Sequence, residues 1–167
     1  ADEIEGNFAS HGVPMRRLIE SGAIPGDRFI QVGLRGYWPG EEDQRWMREH
    51  GLTHVMMQEI WERGVKDSIA QVVELARSKA PKVYISIDID VLDPGFAPAT
   101  GTPEPGGFAP IDLLRFVRQL TLDLDVVAFD VMEVAPAYDH ADITVNNAHR
   151  LIWEFLAATA VKKRDAS

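Results

Sequence analysis

Apolar positions along the chain switch between two periods. Met15, Leu18 and Ile19 fall at helical spacing and Gly22 ends the segment; Ile69, Val72, Val73, Leu75 and Ala76 lay a buried stripe along a helix from Val65 to Ala80, closed by Pro81. A further helix opens at Pro110 with Leu113, Leu114, Phe116, Val117 and Leu120 apolar, and the last runs from Ile143 to about Val161, leaving a solvated Lys-Lys-Arg-Asp-Ala-Ser tail. Between them lie strand patterns: Arg28 to Leu34, Thr53 to Met57, an acid-bearing run that starts at Tyr84, and Asp125 to Val134, so continuously apolar that it predicts a central strand covered on both faces. Glu42 to His50 reads as a short helix ending at Gly51. Strands alternating with helices predict an α/β fold, a mainly parallel sheet between helical layers.

The run from Tyr84 to Gly107 organises the rest. Side chains alternate along a strand, so Asp88 and Asp90 are expected on one face with Ile87, Ile89 and Val91 on the other. Adjacent carboxylates repel and resist burial without a cation, which makes a divalent metal the simplest partner. Pairing with Arg or Lys, or an edge strand in water, also suits the pair. An EF-hand is excluded because its fifth position is Leu92. A phosphatase-type pair with Asp88 as nucleophile remains a rival, although the following loop offers no Lys and few amides to hold an anion. That loop holds Pro94, Pro98, Pro103 and Pro105 among several glycines, a rigid rather than a tethering composition.

Glu133 interrupts the apolar run from Asp125 to Val134, and an isolated carboxylate there calls for a cation: an arginine of the protein or the planar fork of a guanidinium ligand. His11 sits in a loop before a helix; a lone histidine is more often structural, but this one is placed to move protons. Asn7 and Ser10 share its loop. Tyr37 and Trp38 are loop aromatics suited to a pocket wall, an oligomer contact or simple packing. His50, at a helix C-terminus, and His54, alone on a strand, read as structural, as do Asp130 and Asp139; His140 stays undecided. In a parallel sheet, ligands bind beyond the carboxyl ends of the strands, where one crevice would gather Asp88, Asp90, Glu133 and His11.

Length and composition bound the rest. The chain has 167 residues, suited to one domain, with 46% apolar and 26% charged residues. It has no cysteine, hence no disulfide framework or thiolate chemistry, and its net charge of -9 argues against nucleic acid or anionic membrane as partner. No apolar run approaches the ~20 residues of a membrane span, and a soluble, cytoplasmic protein is the expectation. A start at Ala1-Asp2-Glu3 leads us to expect a missing N-terminal part.

Ser86-x-Asp88-x-Asp90-x-x-Asp93-Pro94, followed by Ala99-Thr100-Gly101-Thr102-Pro103-x-Pro105-Gly106-Gly107, closely resembles the signature of the ureohydrolase family, the arginase and agmatinase relatives; Ala99 stands where the pattern usually has Gly. Asp130-Val-x-Glu133-Val-x-Pro-x-Tyr-Asp-His140 is similar to the family's second motif, in its agmatinase branch, and His11-Gly12 before two arginines is similar to the segment carrying its proton shuttle. The resemblance implies a three-layer αβα fold, here incomplete, and two manganese ions held by four Asp and two His, of which only Asp88 and Asp90 carry over. The Gly-Gly-Asp-His and Asp-Ala-His-x-Asp segments that supply the others are not in this chain. The implied reaction is hydrolysis of a guanidino group of agmatine or a guanidino acid to urea and an amine. Glu133 would contact the guanidinium, His11 would protonate the leaving amine, and Asn7 and Ser10 would lie in the substrate-facing loop. A homo-oligomer, trimer or hexamer, is implied too. A non-catalytic subunit docking on a complete relative is the alternative.

Overall fold

The computed structural model describes residues 10–37 and 39–165. Among the described residues, six α-helices and four strands alternate except where α4 follows α3: α1 (Pro14–Glu20), β1 (Ile30–Leu34), α2 (Glu41–Glu49), β2 (Thr53–Met56), α3 (Met57–Arg63), α4 (Val65–Lys79), β3 (Val83–Asp88), α5 (Pro110–Asp123), β4 (Val126–Met132) and α6 (Ile143–Asp165). β1 pairs in parallel with β2, and β3 with β4, as two separate ladders among the described residues. Each pair is joined by a crossover carrying a helix, the connection parallel strands require. This is an incomplete αβα arrangement.

Local sequence explains where most elements begin and end. α4 places Ile69, Val72, Val73 and Ala76 on one buried face, the i, i+3, i+4, i+7 rows of a helix. It stops because Ala80, preceding Pro81, is driven to extended backbone (φ −156°, ψ 148°). α5 starts with Pro110 at its first position and Asp112 in its first turn, where a fixed φ and a negative charge are both favoured. Asp139 starts α6 by accepting the backbone N–H groups of His140, Thr144 and Val145 at 3.0, 3.1 and 2.9 Å. Burial acts against ionisation of its carboxyl, but those donors outweigh it and hold the group below the usual carboxylate range.

The main core gathers Val55, Met57 and Ile60 from the β2–α3 region, the α4 stripe, Ile89, Leu92, Phe108, Leu113, Phe116 and Val117, and Ala148 and Leu151 of α6. Phe129 of β4 stacks on Phe155 of α6 at 4.4 Å between centroids. A smaller cluster holds Ile19, Met47 and Leu52. Burying this much apolar surface is the principal favourable term in folding.

Four expectations need correction. β3 ends at Asp88, and Ile89–Val91 form a 3-10 turn, so Asp90 does not lie on the strand. β4 is covered on one face only among the described residues: Phe129 and Val131 pack on the core, while Val127 and Met132 are 59% and 53% exposed. α6 continues through Lys162, Lys163 and Arg164 to Asp165, because cations in a last turn suit the helix dipole and Lys162 reaches back to the carbonyl oxygens of Thr121 and Leu124. α3 has no counterpart in the sequence reading. Its two buried residues, Met57 and Ile60, are too few to show a period, and Glu59, which accepts the Met56 N–H at 3.1 Å, marks its start.

Candidate active site

The carboxyl ends of β3 and β4 lie side by side, with Asp88 in register with Met132. Ile85 and Ile87 turn inward, and Tyr84, Ser86 and Asp88 turn to the open face. Tyr84 and Ser86 both donate hydrogen bonds to the Asp130 carboxylate, Ser86 at 2.8 Å. Asp130 is therefore satisfied by its own sheet, which fits a structural role. Accepting from Tyr84 also pushes that phenol's pKa up.

Beyond Asp88 the turn at Ile89–Val91 buries Ile89 completely and brings Asp90 beside Asp88 by a route other than strand alternation. One Asp90 oxygen accepts the Thr102 hydroxyl at 2.7 Å. The Asp88 carboxyl is pushed up to about 7, first by burial, then by the negative charges of Asp90 and Glu133, with His11 pulling the other way. Asp88 does have an open side, toward the uncovered sheet face; its carboxyl end is the part crowded by these acids. Among the described residues no Arg or Lys is among the charged groups acting on it.

Glu133 follows β4 directly and holds a left-handed backbone, φ +63°. That conformation is unfavourable for a residue with a Cβ, and it turns the carboxylate out of the strand's alternation. Glu133 Oε1 lies 3.5 Å from His11 Nδ1. Gly101 is its neighbour too: a Cβ there would stand 3.4 Å from Glu133 Oε2. Asp88, Asp90, Glu133 and His11 thus share one end of the sheet, from three chain segments.

The loop that closes over them is tightly built. Leu92 and Phe108 form a parallel bridge, Phe108 N–H donates to Val91 O at 2.9 Å and Asp93 N–H to Phe108 O at 3.0 Å. Asp93 accepts the N–H groups of Gly95 and Gly106, at 3.0 and 2.8 Å, which hold its carboxyl below its ordinary pKa. Gly107 packs on the chain at Leu92–Asp93 so closely that a Cβ would meet Leu92 C and Asp93 N at 2.5 Å. Ala99 is fully buried; its N–H donates to Thr144 Oγ1 and its carbonyl accepts from Ala135 N–H, both at 3.0 Å. It has no positive φ, so alanine fits there without strain.

Arg35, which no sequence pattern singles out, reaches this loop from the end of β1. Its guanidinium donates to the carbonyl oxygens of Asp90 and Glu104, each at 2.6 Å, and of Leu92 at 3.2 Å. Burial lowers its pKa, opposed by Asp90, Glu104 and Asp93. Its signal, an arginine directly after a strand and before Gly36, is too short to read. Thr102 was likewise missed.

Other predicted positions fall elsewhere. Ser10 lies next to His11, its hydroxyl buried without a hydrogen-bond partner among the described residues. Asn7 and Trp38 lie outside the described residues, and Tyr37 is fully exposed. His50 stacks on Trp46 and contacts Trp46 O at 2.8 Å, the structural role expected; His54 and His140 are exposed. A hollow of about 320 Å³ is lined by Met57, Trp61, Gly107 and Asp112 among others, and includes none of these site residues.

Two crowded carboxylates, one raised toward neutrality, are hard oxygen donors of the kind Mn²⁺ and Mg²⁺ favour. Among the described residues no group of three His, Asp or Glu is placed to hold an ion by itself. The donor chemistry fits a divalent metal, and the donor count falls short of a complete site.

Residues 1–158 match the arginase family. The chain is 38% identical over 154 residues to a guanidinopropionase of Pseudomonas aeruginosa, covering 92% of this chain and 48% of that one. It is 38% identical over 153 residues to an agmatinase of Enterobacter sp. (strain 638), covering 92% and 46%. The structure of proclavaminate amidino hydrolase from Streptomyces clavuligerus superposes with a TM-score of 0.83 at 37% identity, over 97% of this chain and 52% of that one. The chain spans about half the length of the relatives it matches.

Proposed function

Because this chain belongs to the arginase family, we propose that it forms the guanidinium-binding half of a metal-dependent hydrolase that splits a guanidino compound into urea and an amine. The observation that carries this reading is the convergence of Glu133 and His11, 3.5 Å apart, on the end of the sheet that presents Asp88 and Asp90. In this reading the chain is the C-terminal part of a single domain, and donors from an N-terminal part complete the metal site.

Each residue then has a task. Glu133 accepts two parallel N–H bonds from the substrate's guanidinium, a match of planar fork to carboxylate that fixes the orientation of the central carbon. His11 turns Nδ1 toward Glu133, leaving Nε2 to protonate the amine nitrogen as its bond to carbon breaks. Asp88 and Asp90 hold Mn²⁺, two ions in the complete site, whose chemistry when bound is to acidify a water near neutral pH. The raised Asp88 pKa is expected of an acid whose cation comes from outside the protein. Ser10 and Asn7 border the substrate on the His11 side. Agmatine or a guanidino acid is the substrate class, since relatives named for each match this chain equally well. The exposed apolar residues Ile152, Trp153 and Leu156 of α6 support assembly into a homo-oligomer, a trimer or hexamer.

The test is steady-state urea release from a panel of agmatine, guanidinopropionate and guanidinobutyrate after Mn²⁺ loading, by the protein that carries this chain together with the N-terminal donors this reading requires. Asp90→Asn and Glu133→Gln should each lower kcat/KM by roughly a hundredfold or more, the loss of about 3 kcal/mol expected when a charged hydrogen-bonding group is neutralised. Rates untouched by both substitutions would end the assignment. The short donor set favours one second reading, a non-catalytic subunit that docks on a complete relative. Metal analysis of the protein with its N-terminal donors separates them: two manganese per subunit supports the enzyme, and none in a stable assembly supports the non-catalytic subunit.

A further inference from the structure

We propose that Arg35 is the positioning residue of the site, a guanidinium that ties the backbone at Asp90 to the backbone at Glu104 and so sets where the Asp90 carboxylate stands. This rests on the reading of Asp90 as a metal ligand. Arg35 leaves β1 just after Gly33, where the β1–β2 register shifts between Val32 and Leu34. Gly33 has φ +91° and packs so closely on Val91 that a Cβ would come within 2.7 Å of its side chain. The strand end is therefore seated on the turn that carries Asp90.

From there Nη2 donates to Asp90 O and Glu104 O at 2.6 Å each and to Leu92 O at 3.2 Å, while Nε donates to Glu104 O at 3.1 Å and Pro105 O at 3.3 Å. Nη1 reaches Gly33 O at 3.4 Å. The two carbonyls held most tightly bracket the Thr102–Asp90 bond of 2.7 Å. Thr102 can fix the Asp90 carboxylate only while the far limb of the loop is held against the turn; the Asp93–Gly106 and Val91–Phe108 bonds hold the limb's base, and Arg35 ties its Glu104–Pro105 part to the turn at Asp90. Lysine cannot replace it, because an ammonium is a point donor and this arrangement needs a planar fork aimed at several oxygens at once.

Arg35→Lys and Arg35→Met decide the matter, each measured by amide hydrogen exchange and, in the protein that also carries the N-terminal donors this reading requires, by Mn²⁺ titration followed by electron paramagnetic resonance. Arg77→Lys is the control: it removes an arginine-to-carbonyl bond, to Asp123 O, far along the chain from the site. Both Arg35 variants should exchange several-fold faster within Leu92–Gly107 alone and bind Mn²⁺ about tenfold to a hundredfold more weakly, the usual cost of losing a residue that orients a metal ligand. The thermal midpoint should stay near that of the Arg77→Lys control. Wild-type exchange in the loop would overturn the proposal, and so would faster exchange spread evenly over β3, α4, α5 and α6 with a fallen midpoint, since Arg35 would then be a general stabiliser. If the unaltered protein takes up no Mn²⁺ even with the N-terminal donors that this reading requires, the functional reading fails, and the exchange comparison, which needs no metal, still decides Arg35.

Discussion

Asp88 carries the clearest consequence at the scale of single residues. Its carboxyl titrates near 3.8 when unfolded and about 7 when folded, so without metal the folded chain binds that proton more readily. Its contribution is fully present below pH 3.8 and is lost as pH rises through 7. Asp88→Asn should therefore raise the thermal midpoint of the metal-free chain at pH 8 and leave it unchanged near pH 4. A gain of equal size at both pH values would show that the crowding around this acid has been misread. Asp88, Asp90 and Glu133 stand out in the sequence because each is a carboxylate among apolar residues, whereas His11 stands in a polar loop and is singled out by the family resemblance. Arg35 and Thr102 were not legible, because their importance lies in hydrogen bonds to residues 55 to 69 and 12 positions away, which no local pattern encodes.

Among the elements, the loop from Leu92 to Phe108 is held by close backbone contact as well as by the Arg35, Asp93 and Thr102 side chains. Gly107 lies 2.5 Å, measured from a would-be Cβ, from two backbone atoms that cannot move aside. Gly107→Ala should cost about 1–3 kcal/mol through overpacking, measured by urea denaturation, and should weaken Mn²⁺ binding in parallel. Stability within 0.5 kcal/mol of the unaltered chain, roughly the scatter of a neutral surface change, would mean that the loop can shift. The helices α4, α5 and α6 and all four strands were readable from apolar period and from Pro81 and Pro110, since propensity, capping and burial agree there. Where they disagree the reading failed. Asp90 was placed by alternation, but the strand breaks at Asp88 so that Ile89 can bury fully. α3 was hidden because one exposed tryptophan, Trp61, breaks an already short stripe.

At the scale of the molecule, the β3–β4 ladder presents Tyr84, Val127 and Met132 outward, 45%, 59% and 53% exposed. The sequence of β4 demanded cover on both faces and the described residues supply one. Surface of this kind sequesters apolar probes and associates. The chain by itself should bind anilinonaphthalene sulfonate and self-associate at micromolar concentration, and Val127→Lys with Met132→Lys should reduce both several-fold. Dye binding unaffected by the pair would point to another surface, such as the α6 residues Ile152, Trp153 and Leu156. The αβα class was legible in the chain order of elements, whereas the division into two ladders was not, since pairing between strands distant in sequence leaves no mark on either one.

Glu133 combines a left-handed backbone with the carboxylate on which the proposed chemistry turns. Glycine would relieve about 1 kcal/mol of that torsional cost while abolishing the acid. Heat tolerance and turnover therefore pull this codon in opposite directions. A library sorted for ruggedness alone should fill with glycine at this position and fall silent as a catalyst.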